Sequence, residues 1–337
     1  MIIGNLALPV FNADNFLLQS LDSIFNQQTS ASIEVIAIDN ASSDDSWLIL
    51  EDYISREPRV KVIKHETNQG PAVARANGMK LARGHYIMHV DADDYLVDGA
   101  IEKLHSKSIE FDVDVIIYNY LLKDSVNNEF KGYNIEKELV TSNKHDVKMF
   151  FYNNSATKLV KRDLVLDMIV GNEKFTATSE DLLYCTEIFI RAKTFYLCAD
   201  VLYIARLHDA SYTAISWDSE LVLKNRVATL IALNQIILNN HYDVLVVDNV
   251  LSKIERTILE YSFVYKFTVF KKAREFNDLK GALRLFKKFK QIRLRSIELS
   301  LNSRFFSCYN VIKYTGFKNM FHFVKVIIVV YLRRFRR

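Results

Sequence analysis

The 337 residues carry a formal net charge of +4, with half of the chain apolar and a quarter charged, the balance of an ordinary folded protein that holds two domains, or one domain with an extension. Three cysteines, Cys185, Cys198 and Cys308, form no CxxC pair and no zinc-ligand spacing, which argues against a disulfide framework or a structural zinc and fits a reducing compartment. Residues 1–8 lack the basic stretch and the length of a signal peptide, and no apolar run reaches the ~20 residues that cross a bilayer; the longest, 321–332, is interrupted by Lys325.

Taken in chain order, residues 2–8 predict a buried strand and 9–15 a loop. Apolar positions at 16, 17, 21, 24 and 25 have a helical period. Residues 33–38 predict a second strand. Ser42 then predicts the cap of a helix, with Asp45 as reciprocal partner. Residues 60–64 predict a third strand. Pro71 opens a helix running to 82, because a first-turn residue needs no N–H, and Gly84 follows it. Residues 86–90 predict a fourth strand ending at Asp91. Residues 113–118 predict a fifth, and the polar stretch 124–137 a loop or hairpin. Residues 181–192 predict a helix. Beyond Trp217 the pattern is helical over 221–238, 244–270 and 279–289.

The first part therefore reads as βαβαβαβ, an α/β fold with a mostly parallel sheet and helices on both faces. Ligands in such sheets bind beyond the carboxyl ends of the strands. Three polar clusters fall there: 9–12, 39–44 and 91–94. In Asp91-Ala92-Asp93-Asp94, clustered like charges cost free energy unless a cation neutralises them, and oxygen ligands select Mg²⁺ or Mn²⁺. The alternative is an acidic helix start ahead of 99–106, with Asp94 as its cap. No GxGxxG follows a strand, and neither a P-loop nor a GxSxG is present.

The chain resembles the family 2 glycosyltransferases, which have the GT-A fold. The resemblance is carried by Leu8-Pro9-Val10-Phe11-Asn12, by Ser20-Leu21-Asp22-Ser23-Ile24 with Gln27-Gln28, and by the stretch from Glu34 to Asp44. It continues in Asn68-Gln69-Gly70-Pro71 with Ala74-Arg75-Ala76-Asn77-Gly78, in Gly84-His85-Tyr86-Ile87-Met88 with the Asp run, and in Ser179-Glu180-Asp181. The resemblance implies that Pro9, Phe11 and Asn12 line a nucleotide pocket. It implies that Asp39 accepts from a uracil ring, that Asp91 contacts ribose or metal, and that Asp93 ligates the metal; the alternative for Asp39 is an Asx turn that caps the next helix. Arg75 would fix the Asp loop or the diphosphate. Asp181 would be the general base of an inverting transfer, within reach of the acceptor hydroxyl; the alternative is dipole stabilisation at a helix start. In Arg206-Leu207-His208, His208 is a third metal ligand, a phosphate contact or a structural histidine. Glu180 and Lys158 fall on the acceptor side, Lys158 alternatively as a solvated lysine. Asn40 departs from the family, where a second Asp is common, and Ala76 replaces a frequent Asn, for which Asn77 is the expected stand-in. His85 and His89 read as core or edge residues.

From 271 to 337 eighteen Lys/Arg oppose three acids, about +15, which leaves about −11 for the rest. Basic residues interleaved with apolar ones here fit an anchor on anionic lipid, and no nucleic-acid-binding module accompanies them. The alternative is a helical subdomain with a solvated basic face. The expected organisation is a GT-A domain over 1–217 and a helical, basic, membrane-associating region over 218–337. The expected location is cytoplasmic, at the inner face of the cell membrane. The expected activity is metal-dependent transfer of a hexose from a UDP-sugar to a saccharide acceptor, such as lipopolysaccharide core or a lipid-linked surface polysaccharide. The alternatives are an inactive GT-A-like binding module or another nucleotide-sugar enzyme.

Overall fold

The computed structural model describes residues 4–143, 154–166, 168 and 180–208. Seven elements alternate first: β1 (Gly4–Val10), α1 (Asp14–Phe25), β2 (Ile33–Asp39), α2 (Ser46–Arg56), β3 (Val60–Lys64), α3 (Pro71–Leu81) and β4 (Tyr86–His89). Then come β5 (Tyr95–Leu96), α4 (Ala100–Phe111), β6 (Val115–Lys123), β7 (Glu129–Lys131) and β8 (Leu139–Thr141). A 3-10 turn (Ser155–Thr157) leads into β9 (Lys158–Lys161), α5 (Arg162–Val165), α6 (Glu180–Arg191) and β10 (Phe195–Arg206). The domain boundary expected at 217 and the basic tail lie outside the described residues, as do the three helices expected beyond 217.

The strands form one sheet in the order β3-β2-β1-β4-β9-β6-β10-β5, with β7 on β6 and β8 on β10. β3, β2, β1 and β4 are parallel. β9 runs antiparallel between β4 and β6, and β6 and β10 are again parallel. The sheet is thus mixed but mostly parallel. Every residue of β2 is buried, as expected of a strand covered on both faces. On α1, Leu17, Leu21 and Ile24 are fully buried at helical spacing and pack into the core with Leu6, Leu8 and Val35.

β1 is flanked by β2 and β4, so the ends of these three strands lie side by side. Its pairing with β4 stops at Ala7 opposite His89. The Val10 carbonyl turns to β2 and accepts from the Asn40 N–H at 2.8 Å. Pro9 therefore faces the side where pairing has ended and removes no ladder bond.

The structure corrects four expectations. The second helix starts at Ser46 rather than at Ser42, because Ser42 Oγ accepts instead from the Asn12 N–H and Asp44 accepts from the Ser46 N–H at 3.1 Å. Asp94 caps no helix: the Asp run leads into β5, and α4 is preceded by Gly99 in the left-handed region. The strand expected over 113–118 begins at Val115, runs on to Lys123 and is the sixth. β9 was not expected at all. The polar stretch 124–137 does form a hairpin, β7 folding back on β6.

α3 lies close against the sheet at Gly78. A Cβ built there would sit 3.0 Å from the Ala7 Cβ and 3.7 Å from its Cα. Gly78→Val should therefore cost about 1–3 kcal/mol by overpacking, read as a lower urea midpoint at unchanged slope.

Candidate active site

The Asp run leaves the carboxyl end of β4, and each of its carboxylates has a different partner. Asp91 accepts from Arg75 Nη2 at 2.5 Å. Asp93 Oδ2 lies 3.0 Å from His208 Nε2, whose ring packs on Phe16 with centroids 4.5 Å apart. Asp94 accepts from the Tyr203 hydroxyl at 2.7 Å and from the Arg206 N–H at 2.8 Å. The backbone is held as well. Tyr203 Oη accepts from the Asp91 N–H, and Arg206 Nη1 donates to the Asp93 carbonyl. Ser20 donates to the Asp91 carbonyl at 3.3 Å.

The polar face of α1 continues this bracing. Ser23 Oγ accepts from the Leu96 N–H, and Gln27 donates to the Val97 carbonyl while accepting from the Ile101 N–H. The Ser and Gln positions of the sequence motif thus hold the segment after the Asp run.

Burial, followed by the Asp91 charge, raises the Asp93 carboxyl above the usual range. Burial, with Asp93 and Asp91 beside it, raises Asp94 further. The run is a concentration of negative charge only partly compensated by its neighbours.

Arg75 projects from α3 and is buried. Besides Asp91 it donates to Glu180 at 2.8 Å. Burial works against its charge, but Asp91, Asp181 and Glu180 outweigh it and the guanidinium stays protonated. Arg75 therefore ties the start of α6 to the end of β4. Burial raises the Glu180 carboxyl, although Arg75 opposes this. Asp181 Oδ1 is buried with no hydrogen-bond partner among the described residues.

A second group of polar residues lies at the ends of β1, β2 and β3. Asp39 is fully buried. Its Oδ1 accepts from the Ser42 N–H at 3.2 Å, while Oδ2 has no partner among the described residues. Asn12 stitches the β1 loop to the β2 loop by donating to Ser42 Oγ and accepting from the Ser43 N–H. Asn12 and Ala41 both have positive φ, at 49° and 63°, backbone that is costly outside glycine and gathers at functional sites. Phe11 is 47% exposed at the rim.

Residues 6–171, about half of the chain, match the profile of glycosyl transferase family 2. The domain is a family 2 glycosyltransferase. Its sequence is 27% identical over 229 residues to glycosyltransferase GlyG of Streptococcus pneumoniae serotype 4, covering 64% of this chain and 74% of GlyG. It is 26% identical over 208 residues to the poly(ribitol-phosphate) β-glucosyltransferase of Bacillus spizizenii, covering 59% of this chain but 31% of that enzyme. The fold is similar to that of Staphylococcus aureus TarS 1-349, with a TM-score of 0.62 at 19% identity over 78% of this chain and 72% of that one. The same protein in complex with UDP gives 0.60 at 20% identity, with the same coverage of both chains. The GT-A fold expected from the sequence is thereby shown.

In this glycosyltransferase the residues singled out from sequence gather as two groups. Pro9, Phe11, Asn12 and Asp39 stand on adjoining strand ends. Asp91, Asp93, His208, Arg75, Glu180 and Asp181 are linked by direct contacts or neighbouring charge. Lys158 is buried rather than solvated, its Nζ donating to the Asn154 carbonyl at 2.7 Å. His89 is a core residue, buried against Tyr184 with both ring nitrogens lacking a partner among the described residues. Sequence reasoning missed Tyr203 and the support that Arg206 gives the Asp run; Arg206 had a motif to mark it, Tyr203 had none.

The residues of the Asp run suit a hard divalent cation. Two carboxylates supply the oxygen ligands such an ion takes, with an imidazole beside them, and burial, followed by the Asp91 charge, raises the Asp93 carboxyl, a cost that a cation would offset. The ligand atoms of Asp91, Asp93 and His208 do not all lie within 4.8 Å of one another; among the described residues only Glu138, Cys198 and Asp200 do. That second cluster is already balanced by Lys103, 2.7 Å from Asp200, and by Lys107, 3.8 Å from Glu138. Asp91 is held on Arg75, so Asp93 and His208 are the pair best placed to take an ion.

Replacing Arg75 by Met removes the cation from two partly buried carboxylates, Asp91 and Glu180. It should cost about 3–5 kcal/mol at pH 8. Burial already raises the Glu180 carboxyl and Arg75 opposes this, so without Arg75 the folded variant binds more protons there than the unfolded chain and gains stability as pH falls. Chemical denaturation should therefore show the gap to wild type narrowing as pH drops from 8 toward the ordinary carboxylate range.

Proposed function

We propose that the chain catalyses inverting transfer of a hexose from a UDP-sugar to a saccharide acceptor, with a bound divalent ion. The observation that carries this reading is Arg75 bridging Asp91 and Glu180. It brings to the Asp run a helix start bearing Asp181, whose Oδ1 has no hydrogen-bond partner among the described residues, so a candidate base stands beside a candidate diphosphate site.

Asp39 Oδ2, a buried acceptor without a donor among the described residues, suits the N3–H of uracil. Phe11, Pro9 and Asn12 would border that ring, and Asp91 the ribose. Asp93 and His208, with Asp91 as a further carboxylate, would hold Mn²⁺ or Mg²⁺. The bound ion would offset charge on the departing diphosphate.

In the reaction the acceptor hydroxyl attacks the anomeric carbon. The bond from that carbon to the diphosphate oxygen breaks, the leaving group departs as UDP, and the hydroxyl proton passes to Asp181. Configuration at the anomeric carbon inverts, through an oxocarbenium-like transition state as in glycoside hydrolysis. Glu180, turned onto Arg75, and Lys158, beside Cys185 of α6, would support the acceptor side of that base as buried members.

The acceptor would be a surface glycan, such as lipopolysaccharide core or a lipid-linked intermediate. TarS of similar fold is known with UDP, and the relative from Bacillus spizizenii is named for glucosyl transfer to poly(ribitol-phosphate). Such acceptors are anionic, which matches the basic charge of 271–337. We place that region on an anionic membrane surface or on the acceptor itself. Among the described residues no helix is long and apolar enough to cross a membrane.

Two measurements check this reading. UDP should raise the melting temperature with Mn²⁺ and much less without it. Asp39→Ala should abolish that shift, whereas Asp181→Asn should keep it and lower transfer by about 10²–10⁴-fold. A UDP shift indifferent to metal, or full turnover in Asp181→Asn, contradicts the assignment. For the basic region, the full chain should sediment with anionic but not zwitterionic vesicles, and a chain ending at 270 with neither.

A further inference from the structure

Asn40 stands where the family often has a second Asp, and its surroundings account for the change. Asn40 and His65 are both buried beside the fully buried Asp39. Asn40 Oδ1 lies 2.9 Å from His65 Nδ1 and also accepts from the Gln69 N–H at 2.9 Å. Asn40 Nδ2 donates to Asn68 Oδ1 at 2.8 Å, and that same oxygen accepts from the Gly70 N–H at 2.9 Å. On the other side of the ring, His65 Nε2 lies 3.0 Å from Asn77 Nδ2. The His65 backbone N–H donates to the Asp39 carbonyl at 2.8 Å.

The donors and acceptors admit one arrangement. Asn77 has only N–H groups to offer through Nδ2, so His65 Nε2 accepts. A neutral imidazole then carries its proton on Nδ1 and donates to Asn40 Oδ1. Burial pushes the His65 pKa down, with Asp39 opposing in part, in keeping with a neutral ring. The chain of bonds runs Asn77 to His65 to Asn40 to Asn68, and Asn40 and Asn68 together hold the N–H groups of Gln69 and Gly70. Gly70 has φ 84° and opens directly into α3 at Pro71.

We infer that His65 is a positioning residue of the donor pocket: held to Asp39 through its backbone N–H and donating to Asn40, it fixes the 66–70 turn and sets where α3 begins. This rests on the donor reading above. It also explains the amide at 40. A carboxylate there would still serve His65 and Gln69, but its second oxygen would face Asn68 Oδ1, an acceptor already committed to Gly70. Two acceptors in contact repel, so Asn40→Asp is not a conservative change in this chain.

Two polar replacements test this in the full chain. In His65→Asn the amide nitrogen falls near the place of Nδ1 and keeps a donor for Asn40. In His65→Gln the amide reaches toward Asn77 and leaves Asn40 without one. Titration with UDP and Mn²⁺, followed by calorimetry, should give wild-type affinity within about threefold for His65→Asn. A loss of about tenfold or more is expected for His65→Gln and for Asn40→Asp, the scale of one buried group left unpaired. The two His65 variants should melt within a few degrees of each other, so a stability effect alone would not separate their affinities. Equal affinity of the two His65 variants, or the reverse order, overturns the inference. The donor reading is judged separately. If wild type binds UDP and Asp39→Ala does not, it stands even where His65→Gln binds normally. If wild type binds no UDP, both fall.

Discussion

Carboxylates crowded at the end of one strand can stay in a partly buried loop only if donors or cations are brought to each of them, and here that requirement organises everything around the Asp run. Asp91 is met by Arg75 from α3. Asp93 is met by His208, beyond β10, and its carbonyl by Arg206. Asp94 is met by Tyr203 and by the Arg206 backbone. Two separate parts of the chain, α3 and the end of β10 with the residues just after it, therefore have to arrive at one loop. The antiparallel insertion of β9 between β4 and β6 moves β10 outward in the strand order, yet the far end of β10 still returns to the run through Tyr203 and Arg206.

The two halves of the site are built from different chemistry. At the ends of β1, β2 and β3 the connections are mainly amides, hydroxyls and backbone, with Asp39 the single buried carboxylate of that half. At the ends of β4 and β10 they are ion pairs and charge-assisted bonds. α3 joins the halves. Its entry is set by the amide network through Gly70, its middle carries Arg75 into the charged half, and Gly78 lets it lie against β1 and β2. Displacing this helix would disturb both halves together.

Much of the first half was legible in the sequence because its signals are local. Pro71 at a helix start, the apolar runs of β1 to β4 and the polar residues after each strand all reflect neighbouring residues. Where local signals competed with distant ones, the distant ones won. Ser42 has the chemistry of a cap, but its hydroxyl is taken by the Asn12 N–H, thirty residues away in the chain. Asp94 reads as a cap, but its partners lie 109 and 112 residues further on. β9 has only four residues and no alternation long enough to announce it. Lys158 shows why residue type alone misleads: a lysine is normally solvated, and this one is buried because a carbonyl awaits it in the strand turn.

β10 also bears on where this enzyme can be divided. The family profile closes at residue 171, and a domain drawn to that limit would contain all three acids of the Asp run. It would lack Glu180, Asp181, Tyr203, Arg206 and His208, and with them the second partner of Arg75 and most of the framework of the loop. The stretch that carries the candidate site is therefore longer than the one the family profile matches. A chimera that exchanges acceptor specificity should place its junction after His208 rather than where the shared pattern ends.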